Sequence, residues 1–341
     1  MHRLWEAMPH GNRGHSTPYA VLALVLFTLN AKAQDPTPPA QAVAAGFTHL
    51  VFDDEFTTNT TIELAKAHST NGYNWYRHGD IKPNDICINT GPGSDATAGA
   101  QGVLTIDNTP DVFNAVLQTV PPNATSAQRV GTWQHGYFEA RIQYSPFVTG
   151  DGGRKTGWPS FWLWAVQALS PFQGQKTAEC DIFEALPLGT AGASSQAINT
   201  MHNWENSKDY AAQTNLFNTG SNNLQVSLVG STKSAQPTDG AWHTYGCLWA
   251  SNGNGSGTAQ FYYDGFLIVH QRGVTTFLTG TNQRLAPGQI SGSTIGTSLT
   301  AMETDNMFMY LGTAQGWPMS VDWVRVWQAP AGPTDPQSPA A

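Results

Sequence analysis

The run Ala178-Glu179-Cys180-Asp181-Ile182-Phe183-Glu184-Ala185 holds three carboxyl side chains at the spacing E-x-D-x-x-E. The chain has 24 acidic residues among 341, and at that density roughly 0.1 such triples arise by chance. On an extended strand Glu179 and Asp181 point to one face and Cys180 and Ile182 to the other. Glu184 lies five residues beyond Glu179 and falls on the opposite face of a regular strand. A β-bulge at Ile182-Phe183 shifts the alternation and brings Glu184 back beside the other two acids. No Lys or Arg inside the run neutralises the three charges. The chemistry that uses such a group is glycoside hydrolysis with retention, which needs two carboxyl groups about 5–5.5 Å apart. Glu179 is the expected nucleophile. Its charge raises the pKa of Glu184, keeping it protonated for the leaving group. Once Glu179 carries the sugar its charge is gone, and Glu184 can ionise and activate water. Asp181 between them is expected to hydrogen-bond and orient the nucleophile. Four strand steps span about 13 Å between Cα atoms, so the two Glu side chains must lean inward over Asp181. The plain alternative is a solvated acidic edge strand or a calcium-binding cluster, but the flanking apolar residues place this strand inside a sheet.

Aromatic side chains supply the second signal. Sugar rings offer apolar C–H faces that stack on Trp and Tyr. Trp158, Ser160, Trp162 and Trp164 share one face of the segment before the acidic run, and Trp158 and Trp162 are the candidate sugar platforms. His202 and Trp204 share a face of the segment after it. Trp75, in Tyr73-Asn74-Trp75-Tyr76-Arg77, and Trp317, in Gly316-Trp317-Pro318, are candidates for the cleft ends. Core burial is the competing expectation for each of them.

Such a site needs a sheet to hold it, and the chain reads as one. Short apolar segments recur between turn residues: Val103–Ile106, 136–144, 160–166, 180–185, 197–204, 242–249, 260–270, 307–311 and 320–328. In Tyr137-Phe-Glu-Ala-Arg-Ile-Gln-Tyr144 positions 138, 140 and 142 are apolar and 139, 141 and 143 polar, the period of a half-buried strand. Asp264-Gly265 between two apolar runs predicts a type I′ hairpin turn. The pattern predicts an all-β sandwich of two antiparallel sheets or a jelly roll, with few and short helices. Charged residues are only 12% of the chain, with 34 Gly, 21 Pro and 12 Trp, which argues against coiled coils and helical bundles. A net charge of −8 leaves no basic footprint for nucleic acid.

Residues 1–33 read as a signal peptide. Arg3 and Arg13 precede the apolar run Tyr19–Phe27, too short to span a bilayer, and Ala31-Lys32-Ala33 offers a cleavage site. The expectation is a secreted protein with no membrane association after cleavage. Residues 34–45 read as a Pro/Ala linker, 46–328 as one continuous domain and 329–341 as a disordered Pro-rich tail. Three cysteines, Cys87, Cys180 and Cys247, allow at most one bridge. No zinc-ligand or phosphate-loop spacing occurs.

At the acidic run the chain resembles glycoside hydrolase family 16, whose signature is the bulged E-x-D-x-x-E. The likeness continues in Phe52-Asp53-Asp54-Glu55-Phe56, Gly136–Arg141, Trp158–Leu163, Met201-His202-Asn203-Trp204, Asp239–Tyr245 and Val321–Trp327. The resemblance implies a concanavalin A-like β-jelly roll with an open cleft. It also implies a retaining endo-hydrolase of β-linked polysaccharide, with Glu179 as nucleophile, Asp181 assisting and Glu184 as acid/base. A β-1,3- or mixed β-1,3-1,4-glucan is the first substrate expected. A β-galactan of the agar or carrageenan type is the next, with transglycosylation or a non-catalytic glycan-binding jelly roll as alternatives. A monomer is expected, and no cofactor is required for catalysis. The resemblance further implies a structural calcium held by Glu55, Asp322 and the Gly102 carbonyl, hard oxygen donors of the kind calcium takes. Three positions depart from the family pattern: Ala178 stands for a Gly, Cys180 for an Ile, and Tyr310-Leu311-Gly312 for Asn-Leu-Ala.

Overall fold

Period-two patterning divides Gly136–Gln143 cleanly: Phe138, Ala140 and Ile142 enter the main core, and Tyr137 turns to the other side of the sheet. A computed structural model describes residues 36–63, 72–79, 86–89, 102–106, 115–125, 127–144, 159–169, 177–187, 195–205, 208–209, 212–217, 240–253, 255–269, 275–281, 298–299, 303, 306–313 and 318–331. Residues 1–33, and with them the expected signal peptide, lie outside the described part.

The strands form two ten-stranded sheets. The first runs in the order Ser298–Leu299, Phe277–Thr281, Ser256–Tyr263, His243–Ser251, Gly136–Gln143, Met319–Gln328, Val103–Ile106, Ile86–Asn89. His49–Asp54 and Phe266–Leu267 pair alongside. The second, which carries the acids, runs Lys208–Asp209, Ser195–Glu205, Thr177–Pro187, Ser160–Ala165, Met307–Thr313, Ala115–Gln118, Trp75–Gly79, Ile62–Glu63. Ala212–Phe217 and Thr132–Trp133 are attached to it. Pairing is antiparallel except between Ile62–Glu63 and Trp75–Gly79. The late strand Met307–Thr313 lies between Ser160–Ala165 and Ala115–Gln118, so neighbours in space are distant in sequence. This is a jelly-roll sandwich.

One core fills the space between the sheets. Phe138, Cys247, Trp249, Phe261 and Val326 enter it from the first sheet, and Trp75, Leu117, Phe161, Cys180, Phe183 and Met309 from the second. Each large apolar side chain removed from water contributes about 1.5–3 kcal/mol before conformational entropy is charged against it. The predicted Asp264-Gly265 turn is present, with φ of 49° and 77°, both positive as type I′ requires. At Gly102 a Cβ atom would lie 1.5 Å from the Phe56 carbonyl oxygen, so only glycine fits this crossing.

The Pro/Ala segment is not a free linker over its described part. Ala40–Ala44 forms a short helix whose Ala42 is fully buried with Phe47, Tyr137 and Trp327. Gln41 Nε2 donates to the Tyr137 hydroxyl at 2.6 Å. Alanine is the best helix former and small enough to pack flat on a sheet. None of the described helices is long and apolar enough to cross a membrane.

Beneath that helix Glu139 is buried, and its carboxyl pKa is pushed up to about 7 by desolvation, although the Tyr137 hydroxyl donates to it at 3.1 Å. The folded chain therefore holds a proton that the unfolded chain releases above pH 4.5. The associated stability is present below that pH and is lost as pH rises through about 7. Glu139→Gln, neutral at every pH, removes this slope. Thermal melts from pH 5 to 8 should show wild type losing on the order of 2–3 kcal/mol relative to the variant. Parallel pH profiles would contradict the assignment.

Candidate active site

Thr177–Pro187 carries the three acids. Its register against Ser195–Glu205 shifts between Asp181 and Glu184, and against Ser160–Ala165 between Asp181 and Phe183. The bulge therefore sits at Ile182-Phe183, as the spacing predicts. Both bulge side chains enter the inter-sheet core with Ala178, Cys180 and Ala185. Glu179, Asp181 and Glu184 are left on the opposite face of the sheet. A bulge frees backbone groups from the ladder. Here the buried Asn199 side chain, on the neighbouring strand, donates to the Ile182 carbonyl. Asn199 holds the distortion that aims Glu184.

Asn199→Ala leaves that buried carbonyl without its donor and should cost about 1–3 kcal/mol in urea unfolding. It should also lower kcat with little change in KM, because Glu184 loses its orientation. Unchanged kcat and stability would show the bulge holding itself.

The register arranges the acid-bearing face in rows across the strands. Glu179 lies between His202 and Trp164, with Phe308 beyond. Asp181 lies between Thr200 and Trp162, followed by Tyr310, Gln118 and Tyr76. Glu184 lies between Ile198 and Ser160, followed by Gly312, Val116 and His78. The middle row is a ridge of large side chains. The third runs from Glu184 through Ser160, Gly312 and Val116, small residues that are buried here, to His78, about 19 Å at four strand spacings. Val120, Ala124, Val166 and Leu169 pack with Phe308, Tyr310, Trp162 and Trp164, which walls the Trp164 end.

Electrostatics single out Asp181. Its side chain is buried while Glu179 and Glu184 are half-buried. Burial, and then the charges and hydrogen bonds of Glu184 and Glu179, hold its carboxyl well above the usual carboxylate range. Burial and the flanking glutamates thus both disfavour a charge on Asp181. Tyr310, close enough to feel Glu179, is pushed up by burial and by that charge, so its hydroxyl keeps its proton.

The aromatic candidates divide. Trp162 is half-buried on the acid face, but its indole stacks on the Tyr310 ring at 4.7 Å and 22°. One face is already covered, so Trp162 stands on edge beside Asp181 with only its edge and its other face left for a ligand. Trp75 is a correction. It is fully buried in the inter-sheet core, where its indole N–H donates to Asp54 at 3.1 Å and Phe52 meets it edge-on at 5.7 Å. The large apolar ring is better removed from water there than at a cleft end. His202 lies directly across from Glu179 and Trp204 across from Thr177 in the strand register; their side chains lie outside the described part. Trp158 and Trp317 lie outside the described residues altogether.

Tyr310, Asn199 and His78 are site residues that the sequence did not reveal. The His78 ring meets Tyr310 edge-on at 5.4 Å. Departure of Tyr310-Leu311-Gly312 from the family pattern was the one available signal for Tyr310. Nothing in the mixed polar and apolar run Ser195–Glu205 sets Asn199 apart from Asn203.

The two carboxylates implied for calcium each have an arginine close by. The Glu55 carboxylate accepts from Arg325 Nη2, and Arg325 Nε donates to Asp53 Oδ1 at 3.2 Å. Asp322, fully buried, faces Arg141 Nε at 3.6 Å. Gly102 does reach Glu55, but through its amide, which donates to the Glu55 carbonyl at 3.1 Å. Among the described residues no three Asp, Glu, His or Cys side chains converge.

No family model and no curated protein sequence matches the chain. Solved structures are similar to it at low identity. The endo-1,3-β-glucanase from Streptomyces sioyaensis is 19% identical, with 87% of this chain and 100% of that one covered at a TM-score of 0.47. An immunostimulatory antigen and pseudo β-1,3-glucanase of Mycobacterium tuberculosis is 16% identical, covering 82% and 98% at 0.44. Porphyranase B from Zobellia galactanivorans is 12% identical, covering 81% and 90% at 0.39. At these values the functional reading rests on this chain's own residues.

Proposed function

We propose that this protein is a secreted, retaining endo-glycosidase of the family 16 type, acting on a neutral β-linked polysaccharide, foremost a β-1,3- or β-1,3-1,4-glucan. The observation that carries the reading is the bulged strand, which presents Glu179, Asp181 and Glu184 on one face of a sheet. Asp181 feels both glutamates, which supports a reading in which the two outer carboxyls flank it closely enough for double displacement. Neutral aromatic and small side chains around the acids favour a neutral glucan over a sulfated galactan.

In the first step Glu179 attacks the anomeric carbon as Glu184 gives its proton to the departing glycosidic oxygen. Asp181 donates its hydrogen bond to Glu179, which holds the attacking oxygen in line and spares Glu179 a second negative neighbour. A glycosyl ester on Glu179 results, and the shortened chain leaves with the proton. In the second step Glu184, now a carboxylate, takes a proton from water, which attacks the same carbon and releases Glu179. Two inversions give net retention.

The test is reducing-end release from laminarin, mixed-linkage glucan, agarose and carrageenan by the domain starting at Gln34, beside Glu184→Gln. Release from a glucan that disappears in the variant is the expected result. Release confined to agarose or carrageenan would move the substrate to a galactan. Binding without release from any of the four would favour the lectin or transglycosylase reading.

A further inference from the structure

Cys180 lies inside the acidic run, between Glu179 and Asp181, with its side chain in the core. Cys247, on the His243–Ser251 strand of the opposite sheet, meets it there: both are fully buried, and their Sγ atoms are 4.0 Å apart. Stacked sheets usually lie about 10 Å apart, yet these two strands bring Cα atoms within 8 Å of each other. Ala178, Ala140 and Ala259, fully buried in the same core, leave room for that approach. A disulfide needs Cα atoms about 4.4–6.8 Å apart and a bond of about 2.05 Å. The sulfurs are already in van der Waals contact, about 2 Å beyond bonding distance.

Cys87 is not a rival partner. Its strand, Ile86–Asn89, is four strands from His243–Ser251 in the same sheet, about 19 Å at the usual spacing.

We propose that Cys180 and Cys247 are the oxidation site of this protein, forming a disulfide that ties the acid-bearing strand to the opposite sheet during folding in an oxidising compartment. The oxidant is a low-molecular-weight or protein disulfide. One cysteine thiolate attacks it and forms a mixed disulfide, releasing the first thiol. The second cysteine then displaces the other thiol, so two S–H bonds are replaced by one S–S bond and two thiols leave. Complete burial demands that the exchange precede final packing, and the finished bond is then shielded from reductants. The cross-link closes 67 residues and anchors the backbone just before the bulge. It holds whether or not the substrate is a glucan.

The full chain, folded once with oxidised and reduced glutathione and once with excess reductant, is denatured in iodoacetamide without further reduction and mapped by peptide mass. In the glutathione sample the peptides bearing Cys180 and Cys247 should be joined and Cys87 alkylated. The reduced sample should fold with the same circular dichroism and melt about 5–10 °C lower. Full alkylation of both Cys180 and Cys247 in the glutathione sample would overturn the proposal, as would a link from Cys87 to either. Equal melting points would overturn the claim that the bond ties the sheets together. Polysaccharide hydrolysis is not read in this experiment, so its outcome is separate from that of the enzymatic reading.

Discussion

Glu179→Gln should leave the fold intact and reduce kcat by about 10⁴–10⁶-fold, the scale set by removing a covalent nucleophile elsewhere. Glutamine fills the same volume and can accept a hydrogen bond, but it cannot form the glycosyl ester on which double displacement depends. Glu184→Gln should also stop polymer hydrolysis, with a loss of about 10²–10⁴-fold typical of a missing proton donor. An aryl glycoside with an acidic leaving group separates the two roles. It departs without a proton, so Glu184→Gln should still form the glycosyl-enzyme and release a burst of phenol. Azide, a nucleophile that needs no base, should then restore turnover. Glu179→Gln should show no burst. Exchange of these two behaviours would reverse the assignment of Glu179 and Glu184.

Asp181 gives the next largest effect, and its direction depends on the substituent. Burial and a glutamate on either side raise the pKa of this carboxyl and disfavour a third charge. Asp181→Asn keeps a donor of the same shape and should stay within about tenfold of wild-type kcat. Asp181→Leu removes the donor and should lose about 10²–10³-fold, the usual effect of deleting one hydrogen bond that stabilises a transition state. Stability moves the other way. A carboxyl with a raised folded pKa contributes stability below its unfolded pKa near 3.8, and loses it as pH rises through the folded value. Asp181→Asn should therefore melt higher than wild type at pH 8 and converge with it toward pH 4. An Asn variant as inactive as Leu, melting no higher at pH 8, would show that Asp181 works as an anion.

Much of the architecture was readable because strands announce themselves through local patterns. Val103–Ile106 has the bounds that alternation predicts. The Asp264-Gly265 turn and the bulge followed from rules on backbone sign and side-chain parity. The unread parts depend on partners far along the chain. In Met307–Thr313 every residue is buried, because on the acid-bearing side Phe308 and Tyr310 pack with Val120, Val166, Trp162 and Trp164, so no alternation marks which side meets the site. Whether a Trp stacks on a sugar or on a protein ring is settled by its cross-strand neighbour. Tyr310, about 150 residues beyond Trp162, sets that orientation. Trp75 went to the core because Asp54 offered its indole N–H a buried acceptor, a pairing invisible in a local window.

The stereochemistry of the first product tests the central claim most directly. Proton NMR, recorded within minutes of adding enzyme to the glucan cleaved in the reducing-end assay, reports the anomeric configuration before mutarotation. Two carboxyls drawn together over Asp181 predict the β-anomer first, with the α-anomer growing in later. If the α-anomer appeared first, water would attack the sugar directly. Glu179 would then be a base set about 6.5–9.5 Å from Glu184, and the double displacement built on this strand would be wrong.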